Sequence, residues 1–245
     1  MSMADLEKYK KDDALEHSKG EFKKLALSFI PGGGVLESVL DYQSNLKQKR
    51  IIDFSSSVHE VLSNIAGREL HARDFKNEDF IDIMESVFKK VLTTKSKYKL
   101  ERFRNILVVQ IVQPIEAHES LKYVQILDEL QDIDLVILSK MRDKDRMSYM
   151  SNFQKLLTGN DGLMEDDEPV EIVAGDNTII IAVGDIEFYV NRLISLGLLK
   201  LHTVQMASTV SRSRKVKSKN YKTILISKMG KKFLDFIENG ATQLI

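Results

Sequence analysis

The sequence predicts a mostly α protein with a small β component, arranged as an N-terminal helical bundle and a C-terminal winged-helix-like α+β module. Apolar residues recur at helical spacing through most of the first 113 residues. Near the C-terminus two alternating segments, LLKLHTV and YKTILIS, flank a long polar loop, as in a β-hairpin. The 245 residues, 43% of them hydrophobic and 29% charged, are enough for one large or two modest globular domains.

Composition narrows the classes of function. The formal net charge is zero, so any attraction to nucleic acid or a membrane must come from local patches. The sequence has no cysteine, which excludes disulfides and thiolate metal ligands and fits a reducing compartment. The charged N-terminus lacks the apolar core of a secretory signal, and no uninterrupted apolar run approaches the roughly 18 residues of a membrane span. We therefore expect a soluble, cytoplasmic protein.

The first part of the chain, residues 1–113, predicts a helical bundle. Residues 4–30 have helical spacing and end at a Pro-Gly-Gly-Gly turn. The apolar stripe that follows predicts one long helix at about 34–66. A bundle core is the expected place for this stripe. Two alternatives stay open: a membrane-perturbing helical hairpin at 25–66, and the seam of a homo-oligomer.

Two further helices of the bundle are predicted from their first residues. Asn77 is a good N-cap for the segment NEDFIDIMESVFKKVLTT, and Ser96 is one for KYKLERFRNILVVQIV. The second helix must end before Pro114, since proline cannot continue it without losing a hydrogen bond. A change in composition at Pro114 marks the predicted end of the bundle.

The C-terminal module is predicted to span about 117–240. Two short helices open it, at 118–130 and at 132–142, the second with Asp132 as N-cap. Methionine and leucine at helical spacing predict another helix at 145–158. The segments VEIVA and TIIIAV, separated by Gly-Asp-Asn, then predict a β-hairpin or paired short strands.

The module closes with a helix, a strand, a basic loop, a strand and a helix, which is how a winged helix ends. Asp185 is the predicted N-cap of the first helix, and Gly197 its glycine stop. The loop at 206–220 has several cations and no acid. The candidate residues for binding nucleic acid or another anionic partner are Arg212, Arg214, Lys215, Lys217, Lys219 and Lys222.

Two interpretations of the basic loop compete. Its composition is typical of a wing that binds phosphates, or of a solvated hairpin whose positive charge balances the negative charge of the acidic stretch at 161–176. The helix that would read bases carries Asp185 and Glu187 at its leading end, with Asn191 and Arg192 further along. Acids there repel phosphates, whereas recognition helices usually present cations or amides. We therefore predict binding to an unknown protein or nucleic-acid partner, with a DNA-binding regulator as the alternative.

The sequence predicts no catalytic residue, metal or cofactor. The five histidines are scattered, and no GxSxG or other nucleophile motif is present. Asp79, Asp82 and Glu85 lie loosely along one helical face, but no histidine is near them in sequence, as is typical of a solvated acidic face. The acids at 161–168 do not have the spacing of a calcium loop. We therefore expect a non-enzymatic protein.

Several segments in order carry a family resemblance: LSFIPGGGVLESVLDYQ, ESVFKKVLTTKSKYKLERFRNILV, ILDELQDIDLVILSKM, VNRLISLGLLKL and ILISKMGKKFLDFIE. Over about 30–238 the chain resembles the abortive-infection-alpha-like family of bacterial domains. Ser227 stands at the cap of the family's closing helix, and Gly230 and Phe233 match its glycine and phenylalanine. The resemblance implies a bacterial protein associated with phage defence, and it implies no catalytic residues.

Overall fold

A computed structural model of the chain contains seven helices and five strands within the residues that it describes. The described residues are 20, 41–64, 77–142, 147–148, 169–174, 177–206 and 219–238. A mostly helical protein with a small antiparallel β component is thereby confirmed. The chain divides into two compact units: Leu130–Asp235 forms the second, and Met1–Glu129 with Phe236–Ile245 forms the first.

Four whole helices of the first unit lie within the described residues. They are α1 (Asp41–Asn64), α2 (Glu78–Thr93), α3 (Lys97–Val112) and α4 (Ala117–Glu129). The apolar stripe of α1 is buried: Ile51 and Val58 are 0% exposed and Phe54 is 5% exposed. From Ile51 to Leu62 this stripe therefore faces the bundle core, as one of the three interpretations predicts, whereas Leu46 nearer the start of α1 is 41% exposed. The rest of the predicted hairpin at 25–66 lies outside the described residues.

Both predicted caps in the first unit are confirmed. The Asn77 side chain accepts a hydrogen bond from the Asp79 N–H at 3.0 Å. The Ser96 hydroxyl accepts one from the Lys99 N–H, also at 3.0 Å. Each side chain satisfies a backbone donor that has no partner in the first turn of its helix, so the sequence locates both helix starts.

The helix α4 lies in the first unit, whereas the sequence predicts it as the opening of the C-terminal module. Its buried side chains include Tyr123, Val124 and Leu127, and the helix packs against α2 and α3. The division between the units therefore falls at Leu130 and not near Pro114. Pro114 ends a helix, but the apolar face of the next helix decides which core it joins.

The second unit contains two antiparallel sheets. Its elements are α5 (Asp132–Met141), β1 (Met147–Ser148), β2 (Pro169–Ala174), β3 (Asn177–Ala182), α6 (Asp185–Ser195), β4 (Leu199–Met206), β5 (Lys219–Ile226) and α7 (Lys228–Glu238), whose last three residues group with the first unit. The three-stranded sheet has the order β1-β5-β4, and β2 pairs with β3 in a separate hairpin. Pairing of β2 with β3 confirms the predicted hairpin.

The predicted helix at 145–158 is wrong at its start. Met147 and Ser148 pair with Ile224 and Thr223 of β5, so they form an edge strand. Without them this side of β5 would present unpaired N–H and C=O groups, which a neighbouring extended segment satisfies. Methionine spacing could not reveal this pairing because the partner lies over 70 residues further along the chain. Residues 149–158 are outside the described ranges.

Two predicted N-caps in the second unit are shifted by one residue. The N-cap of α5 is Gln131 and not Asp132, and the Gln131 N–H donates to the Asp134 carboxylate at 2.6 Å. The N-cap of α6 is Gly184, and Asp185 is the first helical residue, without a side-chain cap. Both aspartates still lie in a first turn, where the helix dipole favours negative charge.

The glycine stop of α6 is confirmed. Gly197 has a φ of 74°, a conformation that glycine adopts without strain. The Leu198 N–H donates to the Leu193 carbonyl and the Gly197 N–H to the Ile194 carbonyl, both at 2.9 Å. These are the two hydrogen bonds of a Schellman motif, and they direct the chain from α6 into β4.

Ser227 caps α7 and ties it to this stop. Its hydroxyl accepts from the Gly230 N–H at 2.8 Å and donates to the Gly197 carbonyl at 2.6 Å. The Ser227 N–H donates to the Leu198 carbonyl at 2.9 Å. A Cβ on Gly230 would lie 2.2 Å from that carbonyl oxygen, so only glycine fits there. We call Gly197, Leu198, Ser227 and Gly230 the glycine junction.

Across the described ranges, no helix combines the length and the apolar character needed to cross a lipid bilayer.

Candidate functional site

The β4–β5 hairpin is the scaffold of the predicted basic loop. Pairing runs from Leu199 opposite Ile226 to Met206 opposite Lys219. At about 3.4 Å per residue, β4 extends about 24 Å from its first residue to its last. Residues 207–218 join the two strands beyond Met206 and lie outside the described residues. The hairpin therefore brings both ends of the basic segment to one end of the sheet.

The candidate binding residues divide into two groups. Lys219 and Lys222 belong to β5, opposite Met206 and Thr203. The remaining candidates lie outside the described residues: Arg212, Arg214, Lys215 and Lys217. The strand positions confirm the backbone of the hairpin, and binding by its cations remains a prediction.

The helix α6 has an exposed face that is acidic and apolar. Asp185 and Glu187 are exposed in its first turn, followed by Asn191. Phe188 is 62% exposed, and its ring meets that of Tyr189 edge to face at 5.4 Å between centroids. Such a face repels phosphates at its leading end. It is poorly suited to lie in the major groove of DNA.

Arg192, the single cation of α6, is engaged inside the second unit. Its Nη2 forms an ion pair with Oδ2 of Asp134, and Asp134 is fully buried. A buried carboxylate is stable only beside a counter-charge or several hydrogen bonds, so the charge of Arg192 stabilises the buried Asp134. The sequence places Arg192 on the recognition face, and the structure corrects this. The partner lies 58 residues earlier, so no local pattern indicates the pair.

Within the described part of the chain, no group of three or more histidine, aspartate or glutamate side chains is arranged so that it could hold a metal ion. His118 is exposed and lies 3.2 Å from Glu116, beside the start of α4.

The first unit contains a feature that the sequence does not predict. A pocket of about 320 Å³ lies between α1 and α3 and is lined by both arginines and acids. We call it the α1–α3 pocket. The sequence pattern that could indicate this pocket is the repetition of charged residues at helical spacing on two helices. Residues in such a pattern usually face solvent, so the pattern does not predict a pocket.

No protein-family model matches the chain, and no curated protein or solved structure is found to be similar to it. The geometry of the two units is therefore the basis for a functional proposal.

Proposed function

We propose that the chain is a non-enzymatic macromolecule-binding protein whose second unit is a winged-helix-like module presenting a basic hairpin to an anionic partner. A winged helix has a first helix, a short strand, a second helix, a recognition helix and a two-stranded wing, with the short strand paired to the second strand of the wing. The stretch at 149–168, where a second helix would follow the short strand, lies outside the described residues. Two observations support this assignment. The described elements follow one another along the chain as α5, β1, α6, β4 and β5, apart from the hairpin β2–β3, and the strands of the sheet have the order β1-β5-β4. The hairpin β2–β3 is an insertion before the recognition helix.

The observation that carries the proposal is the separation of charge in the second unit. The hairpin supports an acid-free segment with six cations from 212 to 222, whereas α6 exposes Asp185 and Glu187. The positive charge of the hairpin attracts a polyanion, and the negative charge at the start of α6 repels it. The expected mode of binding is contact through the hairpin, without insertion of α6 into a groove.

The family resemblance adds a biological context, and we propose that the protein is a component of abortive infection, a form of phage defence. The test is a plaque assay in a bacterial host that expresses the chain. We expect fewer plaques with the wild-type chain than with the variant in which Arg212, Arg214, Lys215, Lys217 and Lys219 are alanine. Equal plaque counts in hosts with and without the wild-type chain, across a broad panel of phages, would contradict the defence role.

A DNA-binding regulator is the second candidate, since a basic wing can bind phosphates regardless of sequence. Its test is fluorescence anisotropy of a labelled duplex at low salt, with the same five-alanine variant. The matched control removes five exposed lysines of the first unit: Lys47, Lys49, Lys89, Lys95 and Lys122. DNA binding through the wing requires loss of affinity in the hairpin variant and retention in the control. Binding that is absent, or indifferent to the hairpin variant, favours a protein partner.

A further inference from the structure

The α1–α3 pocket is formed by two helical faces with the same spacing. Four residues of α1 and four of α3 line it, each set at i, i+3, i+4 and i+7, so each set lies on one face of its helix. The α1 set is Arg50, Asp53, Phe54 and Ser57, and the α3 set is Lys97, Leu100, Glu101 and Arg104. Val91 of α2 completes the lining.

The lining changes from apolar to charged with decreasing burial. Phe54 and Val91 are 5% and 0% exposed and form the buried apolar end. Arg50 and Arg104 are half-buried, whereas the acids of the lining are exposed. A cleft between packed helices is ordinarily filled by apolar side chains to crystal-like density. Here an open volume remains, with guanidinium groups nearer its interior than the carboxylates.

The two arginines have unused hydrogen-bonding capacity. Arg50 donates through Nη1 to the Leu92 carbonyl at 3.0 Å, which fixes its side chain at the last turn of α2. Arg104 has a buried Nε that meets no hydrogen-bond acceptor among the described residues. A guanidinium carries five N–H donors, and a desolvated donor without an acceptor costs free energy. An anion placed between Arg50 and Arg104 would accept charge-assisted hydrogen bonds from the outer N–H groups of the two guanidinium groups, which the open side of the pocket leaves within reach.

We propose that the α1–α3 pocket binds a small organic anion, with its apolar body against Phe54, Val91 and Leu100 and its carboxylate or phosphate between Arg50 and Arg104. Small-molecule pockets usually measure roughly 300–1,000 Å³, and this one is about 320 Å³. The ligand is therefore limited to a body of one or two rings, or a short chain. Lys97 at the exposed rim adds attraction that salt would screen.

The test is isothermal titration calorimetry of the full chain with three probes that share one ring system. 2-Naphthoate and 2-naphthyl phosphate carry an anion, and 2-naphthamide is neutral. We expect one-to-one binding of at least one anion, and binding of the amide weaker by about tenfold or more, since about 1.4 kcal/mol of lost charge pairing corresponds to tenfold. Preference for the carboxylate or for the phosphate identifies the head group.

Substitutions locate the binding. Arg104→Gln should weaken binding of the preferred anion by about tenfold, and Arg104→Lys by less, since lysine keeps the charge but loses the planar fork. Lys97→Gln, at an exposed position on the rim of the pocket, should weaken it about twofold. The matched control is Lys122→Gln, an exposed cation on α4 outside the pocket, which should bind as the wild type does.

Three outcomes would overturn the proposal. One is the absence of binding of either anion to the wild-type chain at millimolar concentration. Another is equal affinity for the amide. The third is an affinity that changes as much in Lys122→Gln as in the Arg104 and Lys97 variants.

Discussion

Substituting Gly230 by alanine tests the glycine junction. The new Cβ would lie 2.2 Å from the Leu198 carbonyl oxygen and 3.0 Å from Cγ1 of Ile226. The carbonyl oxygen is backbone and cannot rotate away, so α7 or the start of β4 must move by about 1 Å to reach an ordinary contact distance. That movement lengthens the hydrogen bond from the Ser227 N–H to the same carbonyl.

The expected loss of stability is about 2 kcal/mol. Overpacking of a fitted contact costs about 1–3 kcal/mol. Loss of the Ser227 hydrogen bond adds about 1 kcal/mol, and the higher helix propensity of alanine returns up to about 1 kcal/mol. Because the contact is with backbone, repacking of neighbouring side chains cannot remove the clash.

Urea unfolding followed by far-ultraviolet circular dichroism measures this loss as a lower midpoint at unchanged slope. Gly20→Ala is the matched control, because Gly20 is helical and its added Cβ would meet nothing within 4 Å. The control should keep the wild-type midpoint or raise it, by up to about 1 kcal/mol of stability. If Gly230→Ala also keeps the midpoint, the close approach of α7 to Leu198 is not a requirement of the fold.

Two further predictions concern the ion pair and a buried phenol. Arg192→Met leaves the buried Asp134 carboxylate without its counter-charge, so we expect a loss of about 3 kcal/mol in the same urea assay; a loss below about 1 kcal/mol would contradict the role of the pair. Burial, a hydrogen bond to Glu119 and the charge of Glu119 together raise the pKa of Tyr123 well above its ordinary value. The unfolded chain loses this proton near pH 10, so the contribution of Tyr123 is complete below about pH 10 and is lost as the pH rises through the folded-state pKa. Tyr123→Phe should therefore lose stability less steeply above pH 10 than the wild type, and equal slopes would refute the raised pKa.

Local signals predict three helix ends to the residue, since the group that satisfies a helix end is close in sequence, whereas the predicted N-caps of α5 and α6 are one residue late. Asn77 and Ser96 cap helices where the sequence places the caps. Gly197 stops α6 for the same reason. In each case one residue type supplies the hydrogen bond or the backbone conformation that the helix end requires.

Contacts between distant residues were not predictable from one sequence. The strand at Met147 and Ser148 depends on the free edge of β5. Arg192 has the spacing of an exposed helical residue, and the buried carboxylate that holds it stands at the start of another helix. The α1–α3 pocket was missed in the same way, because charged residues at helical spacing look alike whether they face solvent or an interhelical cleft.

Heparin affinity chromatography tests most directly the claim that the basic hairpin binds an anionic macromolecule, because heparin is a polyanion that assumes no particular partner. The full chain, with a formal net charge of zero, should be retained at low salt. The hairpin variant with alanine at Arg212, Arg214, Lys215, Lys217 and Lys219 should elute at clearly lower salt. The variant that lacks five exposed lysines of the first unit should elute close to the wild type. A wild-type chain that is not retained, or equal shifts for the two variants, would contradict the account.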